Sequence, residues 1–409
     1  MLRNKSKMHW IVMLTLCGVA ISAVGLPVMT NGVFIQPIAD DLGVYRGTVS
    51  MHNTLTLLLK AIMSLYVPAL IRRFTFKKLM TVGVILAGVS NYLLGWTDQI
   101  WVFNILGILR GIGAGMLAWV PLTIVINEWF REKHGLVTSI VLSFSSIAGA
   151  VFSPLFTSLI QTMGWAPVYR LMGILMILFS LPIILIPFSL DPRESGYLPY
   201  GAPDESSGTT EKQRQVISRQ EAKDVSGWLF SLLFIFTLFQ TMLIGVPQHF
   251  PGFAATLSQP AEVGATMLSI AMVSSIIFKL GLGYISDKVG PVKSSIIILS
   301  LIGLSSIILV ATTNVPILYV GSGLFGAIYA IPSVSVTLLT KEFFGRYHFI
   351  RLYPILAFST SLGGAVSLSV VGFIYDFTGS YVPAFISALI INVANIIILL
   401  YMKKKLGSR

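Results

Sequence analysis

Long apolar runs separated by a few polar residues recur from one end of the chain to the other. They fall near residues 10–38, 49–71, 77–96, 100–127, 136–162, 168–190, 228–254, 263–285, 293–312, 316–340, 349–375 and 381–402. A helix needs about 20 mostly apolar residues to cross a hydrocarbon layer about 30 Å thick, and each run is long enough to span. Most connections are short. The exception is residues 191–227, where Asp191-Pro192-Arg193-Glu194-Ser195-Gly196 leads into a stretch rich in Ser, Thr, Glu, Lys and Gln. That composition predicts a mobile linker. The pattern therefore predicts an all-α membrane protein with twelve transmembrane helices. An N-terminal six-helix bundle occupies residues 1–190, a cytoplasmic linker 191–227 and a C-terminal six-helix bundle 228–409.

The two halves repeat one another. Gly32-Val33 returns as Gly245-Val246, Glu128-Trp129-Phe130 as Glu342-Phe343-Phe344, Gly149 as Gly363 and Gly164 as Gly379, all displaced by 213–215 residues. An ordered series of this kind predicts two pseudo-symmetric bundles with a site between them near the mid-plane. Pro27, Pro121, Pro154 and Pro354 are expected kink positions, and a bend is expected at Ala330-Ile331-Pro332. Trp10 and Trp101 near span ends fit interfacial aromatics.

Composition agrees with the class. The chain is 55% hydrophobic and only 11% charged, against about 25% charged in soluble domains. A net charge of +12 resembles a nucleic-acid-binding signal until the basic residues are placed. With the N-terminus inside, 23 of the 28 Lys and Arg fall on the cytoplasmic side, and only Arg46 and Arg170 fall outside. The positive-inside rule then places both termini in the cytoplasm of a multi-pass cell-membrane protein. The charge reflects topology, and no nucleic-acid partner is expected. Cys17 is the single cysteine, so no intrachain disulfide forms. The basic N-terminus lacks a small-x-small cleavage site after its apolar run, which predicts a retained helix. Gly111-x-Gly113-x-Gly115 lies inside a span with the wrong spacing for a phosphate loop. Metal-ligand clusters and catalytic triads are missing from the sequence, so no cofactor, no metal and no enzymatic activity are expected.

The chemistry lies in three cations within the spans, Lys60, Arg110 and Lys279, whereas all sixteen carboxylates can be placed outside the deep spans. Lys279 precedes Asp287 by eight residues, roughly 12 Å at about 1.5 Å per residue. A charge at that depth costs at least ~2.5 kcal/mol. Buried charges need pairing, and the balancing negative charge can arrive with a substrate. Lys60 is the repeat-equivalent of Ser275, one helical turn from Lys279. The two lysines are thus expected to approach a central cavity from pseudo-symmetric helices, with a carboxylate or similar oxyanion bridging them. Plainer readings stand beside this one. Lys60 can snorkel, and Arg110 can tie down helix carbonyls or side chains as well as assist substrate binding. Asn31 and Gln240 suit either ligand orientation or polar glue between helices, and Tyr329 either a ligand contact or packing. His52 and His249 lie nearer the outer mouth, where wetted, structural histidines are expected.

Gly283-x-x-x-Asp287-Lys288-x-Gly290 resembles the signature loop of the major facilitator superfamily of secondary transporters. Its N-terminal counterpart, Pro68-Ala-Leu-Ile-Arg72-Arg73-Phe-Thr75, carries Arg72 where the family has an acidic residue. The resemblance implies that these loops latch the two halves, with the N-terminal latch altered. Arg110-Gly111-x-Gly113-x-Gly115 resembles the superfamily's helix-four arginine motif, whose glycines permit close helix approach. Asn127-Glu128-Trp129-Phe130, Phe344-Gly345-Arg346-Tyr347-His348 and Gly372-Phe-Ile-Tyr375-Asp376 are similar to stretches of the monocarboxylate and oxalate/formate porter groups. In those groups the position of Lys279 carries a substrate-binding cation. Two departures matter: Ser275 stands where the monocarboxylate carriers have a proton-coupling aspartate, and Met29 where they have a lysine.

The resemblance implies alternating access in a twelve-helix facilitator fold. The expected substrate is a small organic anion, a carboxylate, moved by antiport against a counter-anion or by symport with protons. Two alternatives stay open: an exporter of drugs or amphiphilic metabolites, and a non-transporting membrane receptor.

Overall fold

The computed structural model describes residues 7–44, 46–202 and 227–407. Most of the expected linker, residues 203–226, lies outside the described residues, as do Arg3 and Lys5. The chain divides into two compact units, Met1–Gly208 and Thr209–Arg409.

Twelve apolar helical spans account for nearly all the described residues. The first unit holds span 1 (Lys7–Met29), span 2 (Arg46–Arg73), span 3 (Phe76–Leu94), span 4 (Ile100–Trp129), span 5 (His134–Met163) and span 6 (Trp165–Leu185). The second holds span 7 (Gly227–His249), span 8 (Ala261–Val289), span 9 (Pro291–Ala311), span 10 (315–344), span 11 (346–378) and span 12 (Val382–Gly407). Spans 10 and 11 form one run of helical hydrogen bonds broken at Gly345, whose φ of 70° is a conformation that side-chain-bearing residues rarely adopt.

Span 4 packs on both neighbours through its glycines. A Cβ on Gly111 would lie 2.6 Å from the Thr56 carbonyl oxygen of span 2. One on Gly113 would lie 2.5 Å from the Ala87 nitrogen of span 3. Lipid gives helices no hydrophobic reason to associate, so backbone contact of this kind supplies the packing. Large apolar side chains such as Leu185, Ile277 and Trp101 are exposed on the outside of the bundles, as a bilayer requires.

Regular α geometry fails in every third span. Span 1 widens into a π-helix over Ile21–Met29, with Pro27 inside it. Span 4 breaks at Ala118, whose ψ of −147° separates Leu117 from Trp119. Span 7 tightens to 3-10 geometry over Leu243–His249 around Pro247. Span 10 passes from a 3-10 turn at Gly326–Tyr329 into a π-helix at Ile331–Ser335. The expected irregularities beside Pro27, Pro121 and Pro332 are present, whereas the helix continues through Pro154 and Pro354.

The segment after span 6 is more ordered than its composition suggests, up to residue 202. Asp191 caps a short 3-10 turn over Pro192–Ser195 by accepting from the Arg193 N–H at 2.9 Å. Tyr200 then pairs with the end of span 4: its N–H donates to Trp129 O at 2.7 Å, and its carbonyl accepts from Arg131 N at 3.0 Å. His9 of span 1 is fully buried beneath this segment. Its Nε2 sits 2.8 Å from Leu198 O, and the rings of Trp129, Phe130, Tyr197 and Tyr200 surround it. Trp10, expected at the membrane interface, packs into the same cluster against Phe130 and Tyr200. His9→Ala should therefore lower stability, by about 1–3 kcal/mol for the orphaned Leu198 carbonyl alone. The check is thermal unfolding followed by tryptophan fluorescence. His9→Phe, which keeps the ring contacts, should fall between the two, and equal curves for all three would rule out the cage as a staple.

Candidate functional site

In the first unit, Lys60 lies within span 2 and is buried. Its ammonium has no hydrogen-bond or ion-pair partner among the described residues. It is not turned to lipid. Asn31, at the end of the π-helical stretch of span 1, is half-buried, and its side chain likewise has no hydrogen-bond partner among the described residues.

Arg110 has a different environment. It is only 1% exposed, and its guanidinium is held by neutral oxygens on two neighbouring spans. Its Nη2 donates to Asn53 Oδ1 at 2.6 Å and Thr56 Oγ1 at 3.1 Å, its Nη1 to Asn91 Oδ1 at 3.1 Å, and its Nε to Thr56 Oγ1 at 3.3 Å. Asn91 in turn donates to Tyr169 O of span 6 at 3.2 Å. His52 extends the cluster. Its Nδ1 contacts the Val49 carbonyl, and its Nε2 lies 3.5 Å from the Tyr169 hydroxyl. The histidine expected to be wetted is fully buried. The side chains that Arg110 ties down belong to spans 2 and 3. The asparagines and the threonine escaped sequence reading because single polar residues in apolar helices carry no signal of their partner.

In the second unit, Lys279 is buried within span 8, one turn from Ser275, whose hydroxyl donates to Met272 O at 2.7 Å. Gln240 is fully buried in an amide ladder between spans 7 and 12. It donates to Asn392 Oδ1 at 3.1 Å and accepts from Asn395 Nδ2 at 2.7 Å. This is the polar-glue arrangement. Tyr329, at the 3-10 turn of span 10, stays half-buried, with its hydroxyl 3.4 Å from Nε2 of Gln248 at the 3-10 stretch of span 7. Gln248, which the sequence reading did not single out, is exposed at that irregular turn.

The signature loop closes span 8 as its residues require. Gly283 is buried, Lys288 places its ammonium 4.3 Å from the Tyr284 ring centroid, and Gly290 turns into span 9 with φ 89°. Asp287 is exposed. Arg72 and Arg73 end span 2 exposed. Among the described residues, groups of His, Cys, Asp and Glu able to hold a metal ion are absent.

Known proteins bear the same architecture. The chain is 26% identical over 195 residues to the uncharacterized MFS-type transporter YcxA of Bacillus subtilis, a match spanning 47% of each chain. It is 24% identical to the uncharacterized MFS-type transporter YhjX of Escherichia coli over 88% of this chain and 87% of that one. It is 21% identical to the nitrite extrusion protein of B. subtilis over 90% and 88%. Among solved structures, the transporter FucP in the outward conformation superposes with a TM-score of 0.70 at 14% identity, covering 96% of this chain and 99% of that one. The human organic anion transporter MFSD10 gives 0.70 at 13% identity, covering 96% and 98%. At such identities the two structures speak for the fold alone. The sequence model of the Major Facilitator Superfamily matches residues 15–258 and 250–408, together nearly the whole chain. Twelve spans in two halves and a family match across both halves lead to one conclusion: the chain belongs to the Major Facilitator Superfamily of transporters.

Proposed function

We propose that this transporter moves a small organic anion, a carboxylate, across the cell membrane by alternating access, with both termini in the cytoplasm. The moving parts are the six-helix halves, residues 1–190 and 228–409, joined through 191–227. The observation that carries the anion is Lys60, a buried ammonium with no partner among the described residues. A charge left in a low-dielectric interior is unfavourable, and an incoming carboxylate relieves that cost. The second half carries a buried ammonium of its own, Lys279. Asn31 and Tyr329, half-buried beside irregular turns, are suited to orient the ligand, while Arg110 and Gln240 hold helices together around it. Breaks in spans 1, 4, 7 and 10 support the mechanism, because discontinuous helices are where transporters of this kind build binding sites and bend. The loop residues Gly283, Asp287, Lys288 and Gly290, with Arg72 and Arg73, are assigned to conformational exchange. Protons or a counter-anion supply the coupling.

The test is counterflow in proteoliposomes across monocarboxylates, dicarboxylates and inorganic anions. Nitrite is included because one relative is named for its extrusion. Saturable flux of at least one carboxylate is expected. Flux confined to uncharged amphiphiles would establish the exporter reading instead. A protein that neither carries nor is thermally stabilised by any anion would fit a receptor.

A further inference from the structure

Arg72, which departs from the family loop, lines a cavity together with Arg73. Spans 2 and 3 and the segment after span 6 line an open cavity of about 870 Å³ at one end of the first unit. Arg72, Arg73 and Lys77 line it together with Pro187 to Leu190, and Glu194 is its one acidic lining residue. Lys77 is partly committed, since its Nζ donates to Ile184 O at 3.3 Å at the end of span 6. Neither Arg72, Arg73 nor Glu194 has an ion-pair partner among the described residues. The three cations outnumber the carboxylate, so the cavity selects an anion.

Its depth selects the source of that anion. Span 2 ends, span 3 begins and span 6 ends around this cavity, which fixes it at the border between hydrocarbon and water. Phe74 on its rim is 49% exposed and Leu185 close by in sequence is 67% exposed, apolar surface of the kind acyl chains cover. Arginine forks match phosphate oxygens in pairs. We propose that this cavity binds the phosphate of an acidic phospholipid headgroup, with the lipid's chains lying over Phe74 and Leu185. The assignment stands apart from the identity of the transported solute.

The experiment compares unfolding temperature and lipid retention of the full chain in detergent with added phosphatidylglycerol, phosphatidylcholine or inorganic phosphate. Phosphatidylglycerol should stabilise the protein and be retained; phosphatidylcholine should do so weakly. The Arg72→Gln/Arg73→Gln double variant replaces exposed side chains and should fold normally. It should bind phosphatidylglycerol roughly thirtyfold more weakly, from the pull of two basic residues on an anionic headgroup. Glu194→Gln should bind it more tightly. Equal stabilisation of wild type and double variant, or equal effects of the two lipids, would overturn the proposal. Inorganic phosphate reproducing the full effect at millimolar concentration would also overturn it, by naming a soluble ligand in place of the lipid.

Discussion

Lys60→Met should reduce carboxylate counterflow by between about thirtyfold and a few thousandfold while leaving the protein as stable as before, or more so. Truncating one partner of a buried charge pair costs about 2–5 kcal/mol, and every 1.4 kcal/mol is about a factor of ten. The stability half follows from the same burial. The Lys60 ammonium has no partner among the described residues, so an apolar side chain of similar volume removes an unfavourable charge rather than a contact. Methionine keeps the unbranched shape, so packing around span 2 survives. Arginine at the same place keeps the charge and should retain part of the flux. Lys279→Met is expected to lower flux in parallel, as the buried lysine of the second half. Loss of transport with an unchanged or raised unfolding temperature identifies a ligand-pairing lysine. Unchanged anion flux in both variants would remove the lysines from the site, and a collapsed fold would show a structural role instead.

Arg110→Leu should show the opposite signature: a large loss of stability. The substitution orphans Asn53 Oδ1 and Asn91 Oδ1, which accept from the guanidinium at 2.6 and 3.1 Å, and takes a donor from Thr56 Oγ1, whose hydroxyl still donates to the His52 and Gly107 carbonyls. Each buried group left unpaired costs roughly 1–3 kcal/mol. The damage extends further because Asn91 also fixes span 6 through Tyr169, and such networks weaken by more than the sum of their bonds. Arg110→Lys should rescue little. An ammonium is a point donor and cannot reach three acceptors arranged around a planar fork. Thermal unfolding in detergent and expression level provide the check. An Arg110→Leu protein with wild-type stability but no transport would move Arg110 from helix clamp to substrate contact.

What the sequence determined by itself was whatever depends on local physics. Hydropathy alone placed the spans, because a bilayer sets a minimum apolar length that each segment meets within its own residues. The glycines at 111 and 113 announced close helix approach, since the lack of a side chain is a local property with one dominant use inside lipid. Pro27 and Pro332 announced irregular turns for the same reason. The tertiary structure alone decided what each polar residue touches. Sequence treats Lys60 and Arg110 as equals, two cations in apolar helices. Their difference lies in Asn53, Thr56 and Asn91, acceptors brought to Arg110 from spans 2 and 3 and not to Lys60. His9 reads as an ordinary residue of a first helix, yet its cage comes from side chains more than a hundred positions downstream. The cavity at Arg72 likewise needs Pro187 to Ser195 to exist. Desolvation and hydrogen bonding act between neighbours in space, so which buried cation meets acceptors from other helices is decided only when distant spans pack together.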